Sequence, residues 1–266
     1  MRSLEEERRI LNLFKNADIL EYNNEKYRVV FADKPIYNQG EGKTDIYILL
    51  KNDIKEVPLK ISSKQSNADF LENRLSIKRA ETIFGKNWSE IITSSTLQLK
   101  DLFEQRQIYF PTAKGRVEAG SYTMGWRVDI VNKKSGELSC PIVLTLEQKK
   151  EIFLGTNLSV EKRNVKVGNI LIQDAGVANK ILLNSEYYDS AQAILNALIE
   201  IEDYSPNCFF AFKAVNYRSL TDKIDGNRPL AVWINWESNE HEPIFTSPLI
   251  YGSKNDILKT FKKVFQ

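Results

Sequence analysis

The sequence predicts an α+β protein (α/β in the broad sense), built on a mixed central β-sheet flanked by helices, and three observations carry this. Apolar residues recur at helical spacing over residues 3–15, three extended segments rich in Val, Ile, Tyr and Leu follow in close succession, and a second helical pattern comes directly after them.

Each element has a local cause. From Ser3 to Lys15, Leu4, Ile10, Leu11, Leu13 and Phe14 sit among charges. Ser3 can cap this helix, and Glu5 to Glu7 lie in the first turn, where the helix dipole favours carboxylates. Residues 27–32, 45–50 and 57–62 carry the β-branched and aromatic side chains of strands, and Lys51-Asn52-Asp53 suggests that the latter two form a hairpin. Over residues 67–84, Phe70, Leu71, Leu75, Ala80, Ile83 and Phe84 fall near helical spacing, with Ser66 or Asn67 to cap and Gly85 to stop. Beyond lie expected strands at 122–131 and 140–144, a helix at 191–201, and strands at 208–217 and 230–236. No repeat, low-complexity tract or Gly/Ser linker marks a boundary, so residues 1–266 are read as one domain.

Composition sets outer bounds. With 266 residues, 42% of them hydrophobic and 27% charged, the chain can bury a sizeable core. The start, Met-Arg-Ser-Leu-Glu-Glu-Glu-Arg-Arg, is too charged for a signal peptide, and no apolar run approaches the ~18 residues of a membrane span. A cytoplasmic protein without membrane contact is expected. Cys140 and Cys208 are far apart and lack a CxxC or Cys/His pattern, so they read as buried thiols. The single histidine, His241, cannot build a multi-histidine centre. A formal charge of +2 neither announces nor excludes a nucleic-acid partner, because a near-neutral chain can still gather its Lys and Arg on one face.

Gly40-Glu41-Gly42-Lys43-Thr44 ends like a nucleotide-binding P-loop, but Tyr37 stands where the first glycine belongs. The segment also runs into Asp45-Ile46-Tyr47-Ile48, a strand where a P-loop opens a helix.

One step further on, an acid, Asp45, opens one strand and a lysine, Lys60, sits inside the next, followed by Ser62-Ser63-Lys64-Gln65. Phosphodiester hydrolysis needs oxygen ligands that hold Mg²⁺ against a phosphate and a cation near the attacking water. Adjacent strands bring such groups within a few ångströms. So many polar groups among apolar neighbours are costly unless anions or metals meet them there. The bland alternative is a turn-capping Asp and an edge-strand Lys.

Over roughly residues 25 to 85 the sequence resembles the PD-(D/E)xK nucleases, in particular small type II restriction endonucleases. The resemblance implies a restriction-endonuclease-like core within about residues 1–85, the remainder completing the sheet and carrying DNA recognition. It implies Asp45 on Mg²⁺ and Lys60 at the water. The acidic position of the motif is Pro58, so the second carboxylate comes from Glu56, on the face of Lys60 by period two, or from Glu72 on the following helix, or is absent, with Asp45, backbone carbonyls and water holding the metal. Alternatively the register shifts to Lys60 and Ser62, with Lys64 supplying the charge. The implied substrate is double-stranded DNA cut at a short specific sequence, and a homodimer is left open. Ser63, Lys64, Gln65, Asn67, Lys213, Asn216 and Arg218 are candidates to grip it, with Tyr217, Lys223, Asn227 and Arg228 nearby. Trp233 and Trp236 read as core. A non-catalytic nucleic-acid-binding protein, or a structural or assembly protein, is the rival expectation.

Overall fold

The computed structural model describes residues 3–38, 42–65, 70–184, 187–226, 230–236 and 254–265. It is an α+β structure divided into two compact units, one of residues 1–68 and 144–206, the other of residues 69–143 and 207–266. Each unit is assembled from two separated stretches of chain, so a composition scan along the sequence meets no boundary. Among the described residues no helix is long and apolar enough to cross a membrane.

In the first unit, helix α1 (Ser3–Lys15) precedes β1 (Ile19–Tyr22), β2 (Glu25–Asp33), β3 (Pro35–Ile36), β4 (Ile46–Lys51) and β5 (Glu56–Gln65). The main sheet runs β1-β2-β4-β5 and ends in the strand Lys180–Asn184. Neighbours are antiparallel except that last strand, which lies parallel to β5. The expected hairpin forms, closed by Asn52, whose side chain accepts the N–H groups of Ile54 and Lys55.

Period-two alternation gives the sheet two buried faces. Ile46, Ile48, Leu50, Leu59 and Ile61 pack with Ile10, Leu11 and Phe14 of α1 and with Ile194 and Leu195 of the helix Ala191–Asn196. Tyr47, on the opposite face, clusters with Val165, Val167 and Ala175. There the short strands Val165–Val167 and Ile170–Ile172 form a three-stranded layer with β3. A bulge at Val30 lets Val29 join the first cluster and Phe31 the second.

The parallel strand is tied on by a side chain. Lys60 N–H donates to Asn179 Oδ1 (2.7 Å), and Asn179 Nδ2 donates to the Pro58 carbonyl (2.9 Å), continuing the ladder past Lys180. Asn179→Ala strands these groups and is expected to cost about 1–2 kcal/mol, read as a lower melting temperature.

The second unit is a sheet around the long strand Ser121–Val131, which pairs antiparallel with Cys208–Arg218 and Ala231–Trp233. Trp233 and Trp236 are buried as expected, and so are Cys140 and Cys208, neither of them in a disulfide among the described residues.

Three expected helices or strands are corrected. Phe70–Glu72 is a strand, because its backbone pairs with Ser121–Val131. Arg74 then takes a left-handed conformation (φ 57), and the helix begins only at Ile77, capped by Ser76. Gly85 stops it as expected. The helix beginning at Ala191 ends at Asn196, because Ile199 exchanges backbone hydrogen bonds with Ile181. The last strand is shorter than expected, at Ala231–Trp233. Ser66, Asn67, Asn227, Arg228 and His241 lie outside the described residues.

Candidate functional site

The head of β4 places the acid. Asp45 N–H donates to the Ile61 carbonyl (2.9 Å), one step outside the last ladder pair, Ile46–Ile61. Its Oδ2 accepts the Ser63 N–H at 2.8 Å, while Oδ1 carries no hydrogen bond among the described residues. Two hydroxyls on neighbouring residues, Thr44 Oγ1 before Asp45 and Ser62 Oγ before Ser63, are buried without a hydrogen-bond partner among the described residues.

Burial pushes the Asp45 carboxyl above the usual carboxylate range, and the charge of Glu7 adds to the shift. Lys64, the Ser63 N–H and Lys34 pull it the other way. Lys64 is on the face of Ser62 by period two and has no ion-pair partner among the described residues.

Lys60 stands elsewhere on that face, across from Tyr47. Its Nζ donates to the Asp174 carbonyl at 3.0 Å, and burial lowers its pKa, the charge of Asp174 opposing and that of Arg163 assisting. Asp174 itself is gripped by Arg163 Nε at 2.7 Å, which lowers its pKa. Lys60 is thereby committed to the loop before Lys180–Asn184.

Neither candidate for the second carboxylate is brought to Asp45 within the first unit. Glu56 lies four residues from Lys60, roughly 13 Å along the strand, where it pairs with Lys51 at 2.7 Å. Glu72 belongs to the second unit, where Arg79 holds it at 2.6 Å. Among the described residues, no three His, Cys, Asp or Glu side chains gather as a metal site.

The recognition candidates on the strand Cys208–Arg218 have intramolecular partners. Lys213 Nζ donates to Ser135 Oγ (2.5 Å), Asn216 Oδ1 accepts from Thr123 Oγ1 (3.3 Å), and Arg218 pairs with Glu118 (3.0 Å) and Asp225 (3.1 Å). Tyr217 is fully buried, its hydroxyl donating to Asp222. Gln65 ends β5.

Sequence reasoning missed Glu7 and Lys34. Their carboxylate and ammonium form an ion pair in which the Glu7 side chain is only 8% exposed. The signal was present, since Glu7 lies on the 7-10-11-14 stripe that α1 buries with Ile10, Leu11 and Phe14. A glutamate on that stripe is out of place unless a partner meets it.

Comparison with protein-family models, curated proteins and solved structures returns no match.

Proposed function

We propose that this protein is a Mg²⁺-dependent, type II restriction-like endonuclease that hydrolyses phosphodiester bonds of double-stranded DNA at a short specific sequence. One observation carries the reading: among the described residues Asp45 has one oxygen fixed by the Ser63 N–H and the other without a hydrogen bond, with the charge of Lys64, which has no ion-pair partner there, acting on the carboxyl and the Ser62 hydroxyl buried without a partner. A mixed sheet with an acid heading one strand and lysines on the next is the arrangement that the resemblance to PD-(D/E)xK nucleases implies.

The donors fit magnesium. Asp45 Oδ1 and Ser62 Oγ are hard oxygens, and Mg²⁺ is commonly held by one or two carboxylates plus waters and substrate phosphate. Bound there, it would polarise the scissile phosphate and favour hydroxide. Asp45 anchors and orients; its raised pKa means that a cation stabilises the ionised form. Lys64 faces the same place and holds the attacking water while offsetting charge on the phosphate. Lys60 acts at one remove, securing the Asp174 carbonyl and with it the strand edge along β5. This is the shifted register of the motif, with Ser62 at the acidic position.

Digestion of unmethylated plasmid with and without Mg²⁺ tests the reading. Discrete fragments that need Mg²⁺ are expected. A smear would mean cleavage without sequence specificity, and intact plasmid with retained DNA binding would mean a binding protein. No retention of DNA at any salt concentration would point to a structural role.

A further inference from the structure

A cavity of about 290 Å³ in the second unit combines an apolar floor with a basic rim. Trp126 and Phe212, both almost wholly buried, form the floor, and half-buried Phe110 completes the apolar lining. Arg106 reaches the cavity from ahead of the strand Tyr109–Phe110, and Lys213 from the strand Cys208–Arg218. Ser135, Gly136 and Glu137 belong to the loop between the strands Ser121–Val131 and Ser139–Ile142, where Lys133 and Lys134 precede them.

The rim carries positive charge that the fold does not neutralise. Lys213 Nζ donates to Ser135 Oγ (2.5 Å) and to the Ser135 carbonyl (3.3 Å), both neutral, and has no ion-pair partner among the described residues. An ammonium has three donors, so one remains. A neutral donor would fasten the loop as well, without the cost of keeping a charge half-buried. Arg106 is paired, but its partner Glu137 has a side chain 74% exposed, so water screens the pair and it is weak. One carboxylate also leaves part of the five-donor guanidinium unused.

We infer that this cavity seats one sugar-phosphate unit of the DNA backbone, with the phosphate between Lys213 and Arg106 and the deoxyribose against Phe110 and the apolar floor, and that Glu137 is a counter-ion which the phosphate displaces from Arg106. The inference rests on the nuclease reading and extends it. The cavity lies at the bottom of the roughly 300–1,000 Å³ range of small-molecule sites, room for one unit of a chain that continues outside. Phosphate contacts position a duplex and carry no sequence information. The second unit therefore supplies affinity at this place, independent of the choice of bases.

The test is the salt dependence of binding to a labelled duplex, read by fluorescence anisotropy on the full chain without divalent metal, so that the duplex stays whole. Arg106→Gln and Lys213→Gln should each weaken binding on every sequence alike and make the plot of log affinity against log salt shallower by about 1. Lys213→Arg keeps the charge and should restore the slope, which separates phosphate contact from a loosened loop. Glu137→Gln should tighten binding by up to about fivefold, the worth of an exposed pair. Lys26→Gln removes the same charge from an exposed position in the first unit and should leave the slope as it is. Unchanged slopes in Arg106→Gln and Lys213→Gln, with plasmid still cut by wild type in Mg²⁺, overturn the seat and leave the nuclease reading standing. An equal loss in Lys26→Gln means diffuse attraction and also overturns the seat. Weaker binding in Glu137→Gln overturns the displacement. No binding of the duplex by wild type at any salt concentration, with plasmid left intact, overturns both readings.

Discussion

Asp45→Asn is expected to abolish DNA cleavage and, at neutral pH, to raise the melting temperature. The two effects share one cause. Burial holds the Asp45 carboxyl above its usual pKa, so the ionised form that a metal needs is the form the fold disfavours. Asparagine keeps the volume and an oxygen for the Ser63 N–H but removes the charge. Losing about 4 kcal/mol of transition-state stabilisation slows a reaction about a thousandfold. The sign of the stability effect follows from linkage. With the folded pKa above the unfolded one, the native state binds more protons between the two values, so stability falls as pH rises through that window. Below the unfolded value, near about 4, wild type and variant should melt alike. The gap opens as pH rises and is complete above the folded pKa of Asp45. Melting curves across this window, beside a plasmid assay, check both. A variant that melts lower than wild type at neutral pH would make Asp45 a stabilising turn cap, and a variant that still cuts would remove it from the centre.

The helix α1, the strand β2 and the β4–β5 hairpin were legible because each follows from local periodicity and turn chemistry. Phe70–Glu72 was not, because its apolar pair suits a helix face and a strand equally, and its partner in the ladder lies far along the chain. The parallel strand Lys180–Asn184 was missed for a related reason: it is buried and short, and its neighbour β5 is remote in sequence. At the site, Asp45 was found from its place at a strand head. The choice of lysine is instructive. The strand ends marked by sequence, Leu50 and Val57, are paired in the sheet, and the ladder runs back from them to Ile46 against Ile61, with the Asp45 carboxylate held by the Ser63 N–H just beyond. Motif spacing picks Lys60, whereas ladder register picks Lys64. Period two puts both lysines on one face, so alternation could not separate them; the partners of Lys60, Asp174 and Asn179, lie more than a hundred residues away and were beyond any local pattern.

That difference yields a paired expectation for the two lysines. Lys64→Ala should slow cleavage by about 10²–10⁴-fold, the usual worth of a positioned proton-transfer or charge-stabilising group, with a melting curve that falls less than that of Lys60→Ala, because Lys64 has no ion pair among the described residues and gives up only the pull of its charge on Asp45. Lys60→Ala should do the reverse. Removing its ammonium leaves the Asp174 carbonyl without that donor, a cost of about 1–2 kcal/mol, and loosens the loop that carries Asn179 onto β5. Its cleavage rate, measured below its melting temperature, should stay within a few-fold of wild type, roughly a 1 kcal/mol effect at most. The test is therefore a crossing of two readouts, rate and stability, in two single variants of the same residue type four positions apart. If Lys60→Ala abolishes cleavage with a native melting curve while Lys64→Ala cuts normally, the motif spacing is right, the ladder register is not the guide to the chemistry, and Asp174 and Arg163 belong to the active centre instead of to the frame behind it.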